Sequence, residues 1–153
     1  MQYARPVVRP AVSVIFPVRN RADVVGDALS SVLEQTFADL EVIVVDGSPP
    51  DVFARHRDRW AGLVRHIAPA PALRSLNGKA WGVNTALRAT TAEVVIVADD
   101  DVRYDDAALR AVHHLAAAHD VIRPQNYFDP VPWHPWWDTG RILLNRALGD
   151  DWP

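Results

Sequence analysis

Val94-Val95-Ile96-Val97-Ala98 runs without a break into Asp99-Asp100-Asp101. A short run of β-branched residues with polar groups at its end reads as a strand buried on both faces, the pattern of a parallel sheet. Open α/β sheets place their ligands at the carboxyl ends of such strands. Three adjacent carboxylates repel one another there unless positive charge neutralises them. A divalent cation with hard oxygen ligands, sharing further oxygens with a phosphate, would supply it. The competing reading is an acidic loop that faces solvent.

Composition narrows the classes. The chain has 153 residues, enough for one compact domain, and its 49% hydrophobic content is that of a globular protein. A net charge of −3 gives no electrostatic drive toward nucleic acid, so no nucleic-acid partner is expected. With no cysteine, disulfides, iron–sulfur clusters and thiolate zinc sites are excluded. No apolar run reaches the ~20 residues that span a bilayer. The start, Met1 to Pro6, lacks the apolar core of a signal peptide. The expectation is a cytoplasmic protein, or one at the cytoplasmic face of a membrane. Lys79, the only lysine, sits in Asn77-Gly78-Lys79.

Val12 to Phe16 reads as the first strand, ended by Pro17, which cannot donate to a central ladder. Asn20 and Asp23 have N-cap and N3 spacing for a helix over 22–36, whose apolar stripe is Val24, Val25, Ala28, Leu29, Val32 and Leu33. Leu40 to Val45 is the second strand, ending in Asp46-Gly47-Ser48. This βαβ unit implies a parallel pair and a right-handed crossover. Pro50 opens a helix over 50–60 with Val52, Phe53, His56 and Trp60 inside. A weaker strand over 63–67 belongs near an edge. A helix over 79–89 buries Ala80, Val83, Ala86 and Leu87. The strand 93–98 delivers the acids, and a helix over 105–118, capped by Asp105 or Asp106, turns Val112, Leu115 and Ala116 to the sheet. Val121 to Arg123 reads as a short fifth strand. Residues 124–137 hold four prolines and three tryptophans, too many breakers for regular structure throughout. A last helix spans about 135–148.

If the strands are parallel, the loops Pro17–Asn20, Asp46–Ser48 and Asp99–Asp101 share one rim. A nucleoside diphosphate would use such a set. A carboxylate can accept a ring N–H of the base, a metal can bridge the acid triplet to the phosphates, and Arg19 or Lys79 can add positive charge. No Gly-x-Gly-x-x-Gly follows the first strand, and no Gly-x-x-x-x-Gly-Lys-Ser/Thr occurs, so the dinucleotide and P-loop readings fail. Pro17-Val18-Arg19-Asn20 in place of a glycine-rich loop argues against a nucleotidyltransferase, which stays as a weaker alternative.

The ordered set Val12–Asn20, Leu40–Ser48, Asn77-Gly78-Lys79 with Asn84, and Val97–Asp101 resembles a family 2 glycosyltransferase over residues 11–118. The resemblance implies a GT-A-type three-layer α/β/α sandwich around a mainly parallel sheet. It implies an inverting transfer of a sugar from a nucleotide-diphosphate donor, UDP-type, to an acceptor hydroxyl, with Mn²⁺ or Mg²⁺ as cofactor. It places Pro17, Val18 and Arg19 around base and ribose and Asp46 on the base. The donor set is completed by Lys79, Asp99 and Asp100. The acid triplet stands for a DxD motif in either register, so the metal set is Asp101, Asp99 and Asp100. Residues 1–123 form the nucleotide-sugar-binding core and 124–153 the start of an acceptor-side region of the same domain.

This chain departs from the family pattern in two places. One acid, Asp46, precedes Gly47-Ser48 where the family often has two. The family's general base lies past the DxD region, and no residue of this chain is assigned to it. A nucleotide-sugar-binding module without turnover is therefore the alternative, and the chain reads as an N-terminal or truncated portion. Trp133, His134, Trp136, Trp137 and Asp138 either stack on an acceptor or pack the last helix. The acceptor itself, carbohydrate, lipid or small molecule, is left open by the sequence.

Overall fold

The computed structural model describes residues 10–37 and 39–124, with the backbone alone at 22 and 23. The expected acceptor-side residues Trp133 to Asp138 and the helix over 135–148 lie outside the described residues.

Among the described residues four strands and four helices alternate. They are β1 (Val12–Val18), α1 (Ala22–Leu33), β2 (Leu40–Asp46), α2 (Pro50–Trp60), β3 (Arg65–Ile67), α3 (Gly78–Ala89), β4 (Val94–Val97) and α4 (Asp106–Ala116). A 3-10 turn, Pro71–Leu73, precedes α3. All neighbours in the sheet are parallel, in the order β3-β2-β1-β4. The α/β sheet expected from the β-branched runs is therefore present.

The pleat sorts the core. Val12, Val14, Phe16, Val42, Val44 and Ile96 pack on one face against Val25, Ala28, Leu29 and Val32 of α1, Trp60 of α2 and Leu109 of α4. Ile15, Ile43 and Val45 pack on the other against Ala86 of α3. Helices thus cover both faces. The chain steps from β1 to β2 to β3, then crosses back through α3 to β4 on the far side of β1. The carboxyl ends of β1 and β4 flank the point where the strand order reverses, the place where open α/β sheets leave a crevice.

Several expectations are corrected. β1 continues through Pro17 to Val18. The Ile15 carbonyl accepts the N–H of Ala98, while that of Val18 accepts the N–H of Gly47, so odd residues of β1 face β4 and even ones face β2. The missing donor of Pro17 falls on the β4 side, just past the Ala98–Ile15 bond that ends that ladder, so the pairing of β1 with β2 continues to Val18. Asn20 does not cap α1. It takes a left-handed conformation, φ 54°, and Arg21 is the N-cap without a side-chain cap bond. β4 is an edge strand among the described residues, and Val97 is 46% exposed, so the run is not buried on both faces. Leu87 and Leu115 are exposed, while Thr85 and Leu109 take the inner positions. Residues 121–123 form no strand. The chain divides into two compact units, Met1–Asp120 and Val121–Pro153, and every element above belongs to the first. No helix among the described residues is long and apolar enough to cross a membrane.

Candidate functional site

The rim at the carboxyl edge collects the polar strand ends. β1 delivers Val18-Arg19-Asn20, β2 delivers Asp46-Gly47-Ser48, and β4 delivers Asp99-Asp100-Asp101. α3 leads from this edge back to the start of β4, so its N-terminus points at the rim. Asn77 caps it, its Oδ1 accepting the N–H groups of Lys79 at 3.0 Å and Ala80 at 3.1 Å. The positive end of the helix dipole adds to the charge that Lys79 carries.

A cavity of about 250 Å³ opens between this helix end and β1. Pro17, Val18, Arg19, Lys79, Trp81 and Gly82 are among its walls. Four of the expected donor residues, Pro17, Val18, Arg19 and Lys79, therefore meet at one cavity. Gly82 and Trp81 were not expected there. A Cβ on Gly82 would stand 2.8 Å from the Cβ of Pro17, so only glycine lets α3 lie this close to β1. Trp81 is held in place by its indole N–H, which donates to the Ala70 carbonyl at 2.7 Å. Both follow Lys79 within one helical turn, and that spacing was the available signal.

Cations hold two of the three acids. Arg21 Nε lies 2.7 Å from Asp100 Oδ2, joining the end of β1 to the end of β4 across the switch point. The Lys79 ammonium pairs with Asp99. Asp101 is exposed and has no polar partner among the described residues. The expected metal set does not gather: among the described residues no three His, Cys, Asp or Glu side chains are grouped to hold an ion. The donor chemistry nevertheless fits a hard cation. Mg²⁺ is commonly bound by one or two carboxylates plus substrate phosphates rather than by an all-protein cage. Asp101 offers one such carboxylate, and Asp99 or Asp100 a second once its cation turns to the phosphates.

Asp46 shares the edge but not the cavity. Its side chain is 0% exposed and turns to the α2 face, while its neighbours Val45 and Gly47 line the cavity. Oδ1 accepts the N–H of Ser48 at 2.8 Å, and Oδ2 meets His56 Nδ1 at 2.6 Å and His66 Nε2 at 3.2 Å. Burial raises the Asp46 pKa, but hydrogen bonds from Ser48, His56 and His66 outweigh it and hold the carboxyl below its ordinary range. Burial pushes the His66 pKa down, against the pull of Asp46, so this imidazole is neutral. As placed, Asp46 offers no oxygen to a donor base. It anchors the turn 46–48, whose Ser48 Oγ in turn accepts the N–H of Asn20 at 2.8 Å.

Comparison with known proteins gives the family and the fold. Residues 13–151 match the family model for glycosyl transferase family 2. An uncharacterized glycosyltransferase of Nostoc sp. (strain PCC 7120) is 29% identical over 123 residues, covering 78% of this chain and 37% of that protein. Among solved structures, a mannosyltransferase from Pyrobaculum calidifontis in complex with GDP-Man and Mn²⁺ superposes with a TM-score of 0.53 at 33% identity, covering 71% of this chain and 33% of that one. Residues 1–349 of S. aureus TarS superpose with a TM-score of 0.55 at 22% identity over 71% of this chain and 33% of that one, a likeness of fold. The chain thus spans about a third of the length of the relatives it matches.

Proposed function

The chain belongs to glycosyl transferase family 2, and from that premise we propose that it binds a nucleotide-diphosphate sugar in the cavity between α3 and the carboxyl ends of β1 and β2 for inverting transfer to an acceptor hydroxyl. The observation that carries this reading is the cavity itself. It lies under the N-terminus of α3 at the carboxyl ends of β1 and β2, lined by Arg19 and Lys79, and Lys79 pairs with Asp99 of the acid turn.

In this reading Pro17, Val18 and Trp81 enclose the base and ribose. Arg19, Lys79 and the first turn of α3 face the diphosphate. Their positive charge favours the leaving group, on which charge accumulates as the anomeric C–O bond breaks. The acceptor oxygen forms the new bond from the opposite side, which inverts the centre. The bonding pair departs with the diphosphate, and the acceptor proton goes to a general base that the described residues do not supply. Asp101, with Asp99 or Asp100, would hold a Mn²⁺ or Mg²⁺ ion. When bound, the ion neutralises the diphosphate and stabilises it as a leaving group.

A UDP-type donor is proposed, with GDP as its competitor because the mannosyltransferase neighbour holds GDP-Man. A thermal-shift panel of UDP, GDP, TDP and CDP, each with and without Mn²⁺, tests the reading. Stabilisation by one of them that grows with Mn²⁺ is expected. No stabilisation by any nucleotide with the metal present contradicts it.

A further inference from the structure

Ala70 stands between two prolines, and α3 holds both of its backbone polar groups. Its N–H donates to Thr85 Oγ1 at 3.0 Å, and its carbonyl accepts the Trp81 indole N–H at 2.7 Å. The same carbonyl takes the N–H of Leu73 at 3.0 Å, which forms the 3-10 turn. The Thr85 hydroxyl in turn donates to the Trp81 carbonyl at 2.9 Å. Residues 81 and 85 are i and i+4, neighbours on one helix face, so two side chains can reach one residue. Pro69 and Pro71 carry no N–H. Ala70 therefore supplies the one backbone donor of the segment 69–71, and this contact uses it. An indole N–H only donates and a peptide carbonyl only accepts, so the hold on the carbonyl does not change with pH.

The hold matters because of where Pro69 stands. It is a wall of the cavity beside Lys79, together with Pro17, Gly47, Trp81 and Gly82. Its Cγ lies 3.7 Å from where a Cβ on Gly47 would be. Gly82 and Pro17 are already packed too closely to admit a Cβ between them, so those walls have no slack. At about 250 Å³ the cavity is smaller than the about 300–1,000 Å³ of typical small-molecule sites. Thr85, 5% exposed, is not among the described residues that line it.

We infer that the Trp81–Ala70–Thr85 clamp selects the donor by the size of its base: by fixing Pro69 it admits a single ring and opposes a fused pair of rings. The inference rests on the donor lodging in this cavity, as proposed above. A purine enters only if Pro69 retreats, which opens one of the hydrogen bonds that α3 makes to Ala70. A net hydrogen bond is worth about fivefold in affinity. Thr85 is on this account a positioning residue. It acts through Ala70 and Pro69 and does not touch the donor.

Calorimetric titrations with UDP and with GDP, both with Mg²⁺, test the inference. UDP is expected to bind the unaltered protein about fivefold more tightly than GDP. Thr85→Val removes the acceptor for the Ala70 N–H without changing a cavity wall, and should bring the ratio close to one. Thr85→Ser keeps the hydroxyl and should keep the preference. Trp81→Phe keeps an aromatic ring, loses the indole N–H, and should lower the ratio. Structural damage alone would reduce the folded fraction and leave the ratio of two ligands unmoved. Exchange of the Ala70 amide, followed by NMR in the unaltered protein, needs no variant: saturating UDP should slow it and saturating GDP should speed it. GDP binding at least as tightly as UDP to the unaltered protein overturns the inference. So does a preference that Thr85→Val leaves intact, or Ala70 exchange slowed equally by both nucleotides. Failure of both nucleotides to bind would instead refute the donor reading, and the inference with it.

Discussion

Gly82 of α3 and Pro17 of β1 are packed so closely that a Cβ on the glycine would lie 2.8 Å from the Cβ of the proline. That approach sets the width of the cavity beside Lys79, because Pro17 and Gly82 are both in its walls. Gly82→Val should force α3 away from the sheet. Overpacking costs about 1–3 kcal/mol, and replacing a helical glycine returns less than about 1 kcal/mol. A urea titration should show a net loss of stability with an unchanged slope, together with weaker nucleotide binding. A midpoint equal to that of the unaltered protein would mean the two elements are not in contact.

Asn20 holds a left-handed backbone, φ 54°, while its N–H donates to Ser48 Oγ. Asparagine tolerates this conformation and glycine adopts it freely, whereas a β-branched residue does not. Asn20→Gly should leave stability nearly unchanged, and Asn20→Val should lose about 1–2 kcal/mol. Equal stabilities for the two variants would show that the turn is not left-handed in solution.

Asp46 and His66 make stability fall toward acid pH in two stages. The His66 pKa is lowered below 6.5 in the fold, by burial first. Between its folded value and 6.5 the unfolded chain binds the extra proton, so stability drops as pH falls through that window. The Asp46 pKa is lowered below 3.8, its hydrogen bonds overcoming burial, so its contribution is present above 3.8 and is lost as pH falls through the folded value. Chemical denaturation from pH 8 to pH 5 should show the first decline. His66→Phe keeps the ring that stacks on Phe53 and should flatten the profile in that range. The same slope in the variant would assign the decline to other groups.

Asp101 is the acid of the triplet that no cation holds among the described residues. Asp101→Asn should leave the thermal midpoint of the free protein within about a degree, because an exposed, unpartnered carboxylate contributes little to folding. It should remove most of the gain in nucleotide affinity that Mn²⁺ provides, read by calorimetry with and without the ion. A full metal effect in Asp101→Asn would move the cation to other residues.

Strong periodic signals were legible in the chain and weak local ones were not. The β-branched runs of β1 and β2 and the helix 50–60 emerged where expected, because each repeats one pattern over several residues. The strand end at Pro17 was misplaced because the cost of a proline depends on which neighbour its missing donor faces, and here it faces the end of β4 while the pairing with β2 goes on to Val18. The 121–123 run was too brief for its β-branched residues to decide its conformation. At the site, Arg19 and Lys79 could be read from strand ends and helix starts. The contacts His56–Asp46 and His66–Asp46 could not. They arise because the register Val44↔His66 and one turn of α2 bring residues ten and twenty positions apart onto one carboxylate. Gly82 was passed over because a glycine in a helix declares nothing until its neighbour is known.

A nucleoside diphosphate is expected to lodge between the N-terminus of α3 and the carboxyl ends of β1 and β2, next to the acid turn. An amide NMR titration with UDP and with GDP, in the presence of Mg²⁺, addresses this directly. Shifts are predicted at residues 18–19, 78–82 and 99–101 for at least one of the two nucleotides, and Lys79→Met should weaken that binding about tenfold, as expected for a lost charge-assisted contact. Saturation that leaves those amides unmoved, or moves only residues elsewhere in the protein, would contradict the assignment.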